Sequence, residues 1–261
     1  MKYNIYQVDA FTNQIFGGNP ACVIPLKKWM SDSILLKIAQ ENAVSETAFF
    51  IDNGNDFHLR WFTPDQEIDL CGHATLATAH VLKSIFKHPL NEIYFNTMSG
   101  KLKVTCRESF YYLDFPSRKA KPALLPKEIE LSLNVQPKEV FKSRDYMLVY
   151  ETQKEIEEIK INRHYFDQIN LGHGGVIVTA KGNSSDFVSR YFTPQATILE
   201  DSVTGSAHCT LIPFWSSRLF KKELEAFQIS NRGGKLLCLD MSDRVIIGGE
   251  AKLYFIGEFI I

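Results

Sequence analysis

The chain has 261 residues, of which 45% are hydrophobic and 23% charged, with a net charge of −1. It is long enough to bury a substantial core, and it carries no global charge that would draw it to nucleic acid or to an anionic membrane. Its five cysteines, scattered without a CxxC pair, speak against a disulfide scaffold and against a structural zinc site.

The opening MKYNIYQVDAF alternates as a strand does and lacks the apolar core of a signal peptide. No apolar run approaches the roughly 20 residues of a membrane-spanning helix. A cytoplasmic protein is expected. Gly17-Gly18-Asn19-Pro20 reads as a tight turn leading to a strand at ACVIPL. SDSILLKIAQEN then has helical spacing, with Ser31 as its N-cap, before strands at TAFFI and FHLRWF. After RWFTP comes GHATLATAHVLKSIFK, a helix rich in alanine that suits burial within a sheet. Strands resume at IYFNTMSG, KLKVTC and YYLDFP.

Three prolines in and around SRKAKPALLPKE mark a linker and divide the chain into 1–117 and 118–261. Strand patterns follow at MLVYE, GGVIVTA and FVSRYF, then a helix at GSAHCTLIPFWSSRLF, then strands at LCLDM, RVIIGGEA and KLYFIGEFII. The final strand either stays in the second part or returns to the first. RWFTP at Arg60–Pro64 is nearly repeated by RYFTP at Arg190–Pro194. Each copy is followed by a polar stretch, a glycine and an apolar helix. Shared order at half the chain length points to a duplicated unit. Two such halves would leave a cleft into which Gly72 and Gly205 start their helices, and helix-start amides suit a substrate carboxylate.

Glu46, at the mouth of an apolar strand, could be buried and exchange a proton near neutrality; a solvent-facing strand start is the more common case for such a glutamate. His73 follows Gly72 at a helix head, as a site residue or as a capping histidine. Asp201 precedes the second helix, where the helix dipole alone would favour it. Ser206 could cap that helix or bind substrate. Cys71 stands where a helix dipole could lower a thiol's pKa, but it is a lone cysteine. His80 and His208 lie on apolar helices and read as core histidines. No P-loop, GxGxxG or nucleophile elbow is present, nor a metal-ligand cluster, so chemistry with neither cofactor nor metal is expected.

VDAFTNQIFGGNPACVI, ENAVSETAFF, RWFTPDQEIDLCGHATLATAHVL, EDSVTGSAHCTL and DRVIIGGEAKLYFIGEF together resemble the phenazine-biosynthesis isomerase-like family, whose fold is that of diaminopimelate epimerase. The resemblance implies an α+β protein of two similar domains, each a barrel-like sheet around a central helix, and a homodimer. By position it places the family's acid/base glutamate on Glu46, its histidine on His73, its aspartate on Asp201 and its serine on Ser206. Backbone amides at Gly72 and Gly205 would hold a small carboxylate substrate. The implied reaction is an isomerisation by proton transfer without a cofactor. The epimerase relatives use a cysteine at the head of each helix; here Cys71 occupies the first place and Thr204 the second, and an alkyl hydroxyl is too weak an acid to replace a thiol. The alternatives are a racemase using Cys71 and a catalytically idle metabolite-binding protein.

Overall fold

The computed structural model describes residues 1–261. Contacts divide the chain into Met1–Phe115 together with Ile246–Ile261, and Pro116–Val245. The first break falls at the start of the proline-rich stretch, where proline removes backbone donors and ends the strand before it.

The first unit begins with β1 (Lys2–Ala10), β2 (Asn19–Pro25), α1 (Asp32–Asn42), β3 (Glu46–Asp52), β4 (Phe57–Phe62) and the short β5 (Glu67–Ile68). α2 (Gly72–Ser84), β6 (Glu92–Thr97), β7 (Gly100–Arg107) and β8 (Phe110–Pro116) follow. β2 runs parallel to β3 and β4 parallel to β6, while β1–β2, β3–β4, β6–β7 and β7–β8 are antiparallel. The last strand of the chain, β17 (Arg244–Ile260), pairs with β1 from Lys2↔Ile260 to Ala10↔Ala251 and also with β8. Its return closes a ring of eight strands, which leaves no free edge among them.

α2 packs against β1, β2, β3 and β7. Ten of its thirteen residues are buried, as expected of a helix that is apolar on every side. Its small residues, Ala74, Ala77 and Ala79, are all at or near zero exposure, so strands can approach closely. The two buried threonines on it return their hydroxyls to the helix itself, Thr75 to the Cys71 carbonyl and Thr78 to that of Ala74, and so cost no unpaired donor.

The second unit contains β9 (Lys121–Pro122), α3 (Lys127–Ser132), β10 (Glu139–Lys142), β11 (Tyr146–Val149), α4 (Gln153–Glu158), α5 (Arg163–Phe166), β12 (Val176–Lys181) and β13 (Phe187–Phe192). After these come β14 (Glu200–Asp201), a 3-10 turn at Gly205–Ala207 leading into α6 (His208–Leu219), β15 (Glu223–Gln228) and β16 (Gly234–Asp240). Its pairings repeat those of the first unit. β11 is parallel to β12, β12 antiparallel to β13, β13 parallel to β15, and short β14 flanks β13. Its own core gathers Ile129, Leu148, Ile156, Phe166, Val176 and Val178. The short helices α3, α4 and α5 were not legible in the sequence, because runs of four to six residues are too short to display helical periodicity.

The duplicated RxFTP has a structural cause. Arg60 closes a two-point grip on Glu67 of β5, at 2.7 and 2.6 Å, and Arg190 does the same to Glu200 of β14, at 2.7 and 2.9 Å. Each guanidinium lies over the phenylalanine two residues on, 5.2 Å from Phe62 and 4.9 Å from Phe192. The threonine opens the loop: the Thr63 N–H donates to the Gln66 carbonyl and that of Thr193 to Leu199. The motif therefore pins a short return strand beside the head of each central helix.

Candidate active site

Glu46 begins β3, opposite Ala21 of the parallel β2, and its residue is 9% exposed. His73 is the second residue of α2 and 2% exposed. The sheet and the helix head thus bring the two together, with a Glu46 carboxylate oxygen 2.9 Å from His73 Nε2. On the other edge of the ring, Nδ1 lies 3.0 Å from the Asn19 amide nitrogen and 3.6 Å from the Cys71 sulfur.

Burial opposes charge on His73, but the neighbouring Cys71 and Glu46 more than offset it and hold the ring above its ordinary range. Burial first, and then the Glu46 charge, push the Cys71 thiol up to about 11. Of the two readings of Cys71, this favours the inert one: the thiol is sealed from water, and burial outweighs any lowering by the helix dipole.

Glu46, Cys71 and His73 place one ligand-type atom each within 4.8 Å of one another. Cys71 faces Nδ1, however, while Glu46 faces Nε2, so a single ring nitrogen does not meet both. That arrangement suits a line of proton positions better than a metal tripod.

The head of α2 is buried at Gly72, His73 and Ala74, yet Cys71 provides no side-chain cap and the first turn holds no acidic residue. Its leading N–H groups and the positive end of the helix are left available to an anion.

In the second unit, the Thr204 hydroxyl donates to an Asp201 carboxylate oxygen at 2.6 Å. Gln228, fully buried on β15, donates to the Asp201 carbonyl at 2.8 Å and accepts from the Thr204 N–H at 2.8 Å. Thr204 precedes Gly205 as Cys71 precedes Gly72, but Cys71 is the N-cap of α2 itself, whereas Thr204 stands at the head of the 3-10 turn Gly205–Ala207 and α6 begins only at His208. Gly205 is buried and Ser206 half-buried beside it. His208 is a core histidine: it is fully buried, bonds the Thr204 carbonyl at 2.9 Å, and is pushed down to about 4 by burial. His80 bonds the Tyr111 hydroxyl at 3.0 Å and is likewise pushed down to about 4 by burial.

Two residues at these helix heads escaped the sequence reading. Gln228 sits in ELEAFQ, a strand with no motif. Asn19 lies within Gly17-Gly18-Asn19-Pro20, which reads as a turn and nothing more. Gly18 does make the turn, with φ of +62°, but Asn19 is fully buried and its side chain reaches His73.

A mixed barrel closed around a helix is an epimerase-like fold. The model of the family described as phenazine biosynthesis-like protein matches residues 8–257. An uncharacterized isomerase of Pseudomonas aeruginosa is 43% identical over 98% of this chain and 98% of its own. The crystal structure of a phenazine biosynthesis protein of the PhzF family from Enterococcus faecalis superposes with a TM-score of 0.93 at 46% identity, covering 100% of both chains. A predicted epimerase from Pseudomonas aeruginosa, 18% identical with a TM-score of 0.77 over 99% of both chains, shares the fold. The chain belongs to the phenazine biosynthesis-like protein family, and it is an isomerase. No helix is long and apolar enough to cross a membrane.

Proposed function

We propose that the protein moves a proton between carbons of a small amino- or hydroxy-acid-like carboxylate, without a cofactor, with Glu46 as the acid/base. The observation that carries this reading is the buried Glu46–His73 contact of 2.9 Å beside the uncapped head of α2. The substrate carboxylate meets the amides that begin at Gly72, which draws electron density from the adjacent carbon. Glu46 takes the proton from that carbon and returns it elsewhere on the same face, so no net charge is left behind. His73 stabilises the carboxylate when it is charged and yields when it is not. In the second unit we assign Gly205 and Ser206, on the 3-10 turn before α6, to substrate binding and Asp201 to the catalytic set.

The thiol route is disfavoured by geometry: Cys71 is buried, which raises its thiol, and its counterpart Thr204 donates its hydroxyl to Asp201. The family name directs the first assay. The protein is incubated in D2O with trans-2,3-dihydro-3-hydroxyanthranilate and then with a panel of small amino and hydroxy acids, followed by NMR and mass spectrometry. Deuterium entering a C–H position identifies the substrate. Thermal stabilisation by one compound with no deuterium entering any of them would instead make the protein a binder.

A second copy of the chain is the proposed partner. Tyr254, Ile256 and Ile260 on β17 are 47%, 57% and 76% exposed, and Phe16, 65% exposed, packs its ring against Tyr254. Such a run of exposed apolar side chains marks an interaction surface. The five cysteines are all free and buried, which agrees with the proposed location in the reducing cytoplasm.

A further inference from the structure

We propose that Asn19 is a positioning residue: its side-chain amide decides which nitrogen of His73 carries the proton, and puts it on Nε2, the ring nitrogen nearest Glu46. The inference rests on the reading of Glu46 as acid/base. Asn19 is placed there by construction. Gly18 holds φ at +62°, and a Cβ on it would lie 2.1 Å from the Ala10 carbonyl oxygen, so glycine alone permits the chain to turn inward at this point. Asn19 then starts β2, pairs with Ala10 and is fully buried.

The consequence is a matter of donors and acceptors. An amide nitrogen only donates, so with Asn19 Nδ2 at 3.0 Å the Nδ1 lone pair of a neutral ring must accept. The ring's single proton then sits on Nε2, 2.9 Å from the Glu46 carboxylate. When the ring takes a second proton, on Nδ1, the amide turned by 180° about its Cβ–Cγ bond offers Oδ1 in place of Nδ2. One neutral side chain thus serves both protonation states, which neither an aspartate nor an alanine can do. The proton next to Glu46 stays in place in both.

Two groups meet Nδ1: the Asn19 amide at 3.0 Å and, farther off at 3.6 Å, the weaker Cys71 thiol. The ionisable groups acting on the ring are Cys71, at the head of its own helix, and Glu46 from β3. On β1, Asp9 accepts from the Phe16 N–H at 2.9 Å. β7 turns Leu102, Val104 and Cys106 inward, and burial pushes the Cys106 thiol up to about 11.

The test reads the tautomer directly. Protein carrying 15N-labelled histidine is followed by long-range 1H–15N NMR across pH, with His73→Gln assigning the signal. In the wild type the neutral form of His73 should be protonated on Nε2. In Asn19→Asp, whose carboxylate accepts but does not donate, the proton should remain on Nδ1 and the titration should move to higher pH. With the substrate found by deuterium uptake, kcat should fall about 10- to 100-fold, a share of the roughly 10²–10⁴-fold that a positioned acid/base supplies, while KM changes little. Asn19→Ala should give a mixture of tautomers. A wild-type ring that is neutral with its proton on Nδ1 overturns the proposal even if no variant folds, and so does an Asn19→Asp protein whose tautomer and titration match the wild type. The NMR reading needs no substrate, so a failure of the isomerase reading would appear in the deuterium assay and leave the tautomer result standing.

Discussion

At the scale of single residues, the site depends on burial acting in different directions on neighbouring groups. Burial keeps Cys71 a thiol and His208 a neutral imidazole, whereas His73, next to Glu46, is held charged more readily. Cys71→Ala should therefore reduce deuterium exchange by less than about tenfold, about 1.4 kcal/mol in barrier; a far larger loss would return the thiol to the chemistry. His208 gives a pH dependence of stability. Its folded value of about 4 lies below the 6.5 of a free histidine, so protonation favours the unfolded chain. The stability tied to neutral His208 is complete above pH 6.5 and is lost as pH falls towards 4, by up to about 3 kcal/mol. Urea unfolding at pH 7 and pH 4.5 should show the loss, and His208→Gln should reduce it. Glu46, His73 and Cys71 could be picked out in the sequence because they flank an apolar strand and a helix start. Their mutual contact could not, because it joins β3 to α2 across 27 positions of chain.

At the scale of elements, RxFTP was visible as a repeat, but its purpose was not. The partners of Arg60 and Arg190 lie on the two-residue strands β5 and β14, too short to leave a pattern. The arginine side chains are only 16% and 14% exposed, so their charge-assisted bonds are little screened by solvent. Arg190 also donates to the carbonyls of Ile156 and Ile159 at 3.0 and 2.9 Å, tying down the end of α4. Arg190→Met should cost about 2 kcal/mol or more in chemical denaturation, and Arg60→Met a comparable amount. Gly18→Ala tests the turn that delivers Asn19. The clash with Ala10 predicts destabilisation of about 1–3 kcal/mol together with slowed exchange, measured by thermal unfolding and by the D2O assay. The expected Ser31 N-cap shows how a local rule can be met in position and missed in detail. Ser31 does stand at the N-cap of α1, but its side chain makes no cap and instead meets the Ser33 hydroxyl at 3.1 Å.

At the scale of the whole molecule, the two units keep one strand pattern and differ at the position of Glu46. Thr47 pairs with Phe62 in one unit and Val176 with Phe192 in the other, so the place of Glu46 is taken by Gly175. A Cβ there would lie 2.6 Å from the Tyr191 ring, which leaves no room for an acidic side chain. The Glu46–His73 pair therefore belongs to the first unit alone. The sequence showed the two similar halves through RxFTP and the glycine-headed helices. It did not show this asymmetry, because Glu46 at the start of β3 and Gly175 just before β12 share no motif. The exposed face of β17 makes a further prediction. Light scattering should give twice the 29.8 kDa chain mass, and Ile256→Glu with Tyr254→Glu should give a single chain; a wild-type monomer would remove the proposed partner. The central claim is that one carboxylate moves the proton, and the most direct test compares wild type with Glu46→Gln in D2O on the same substrate. Glu46→Gln should bind that substrate and fail to incorporate deuterium. Incorporation at the wild-type rate would contradict the assignment and put another group in the place of Glu46.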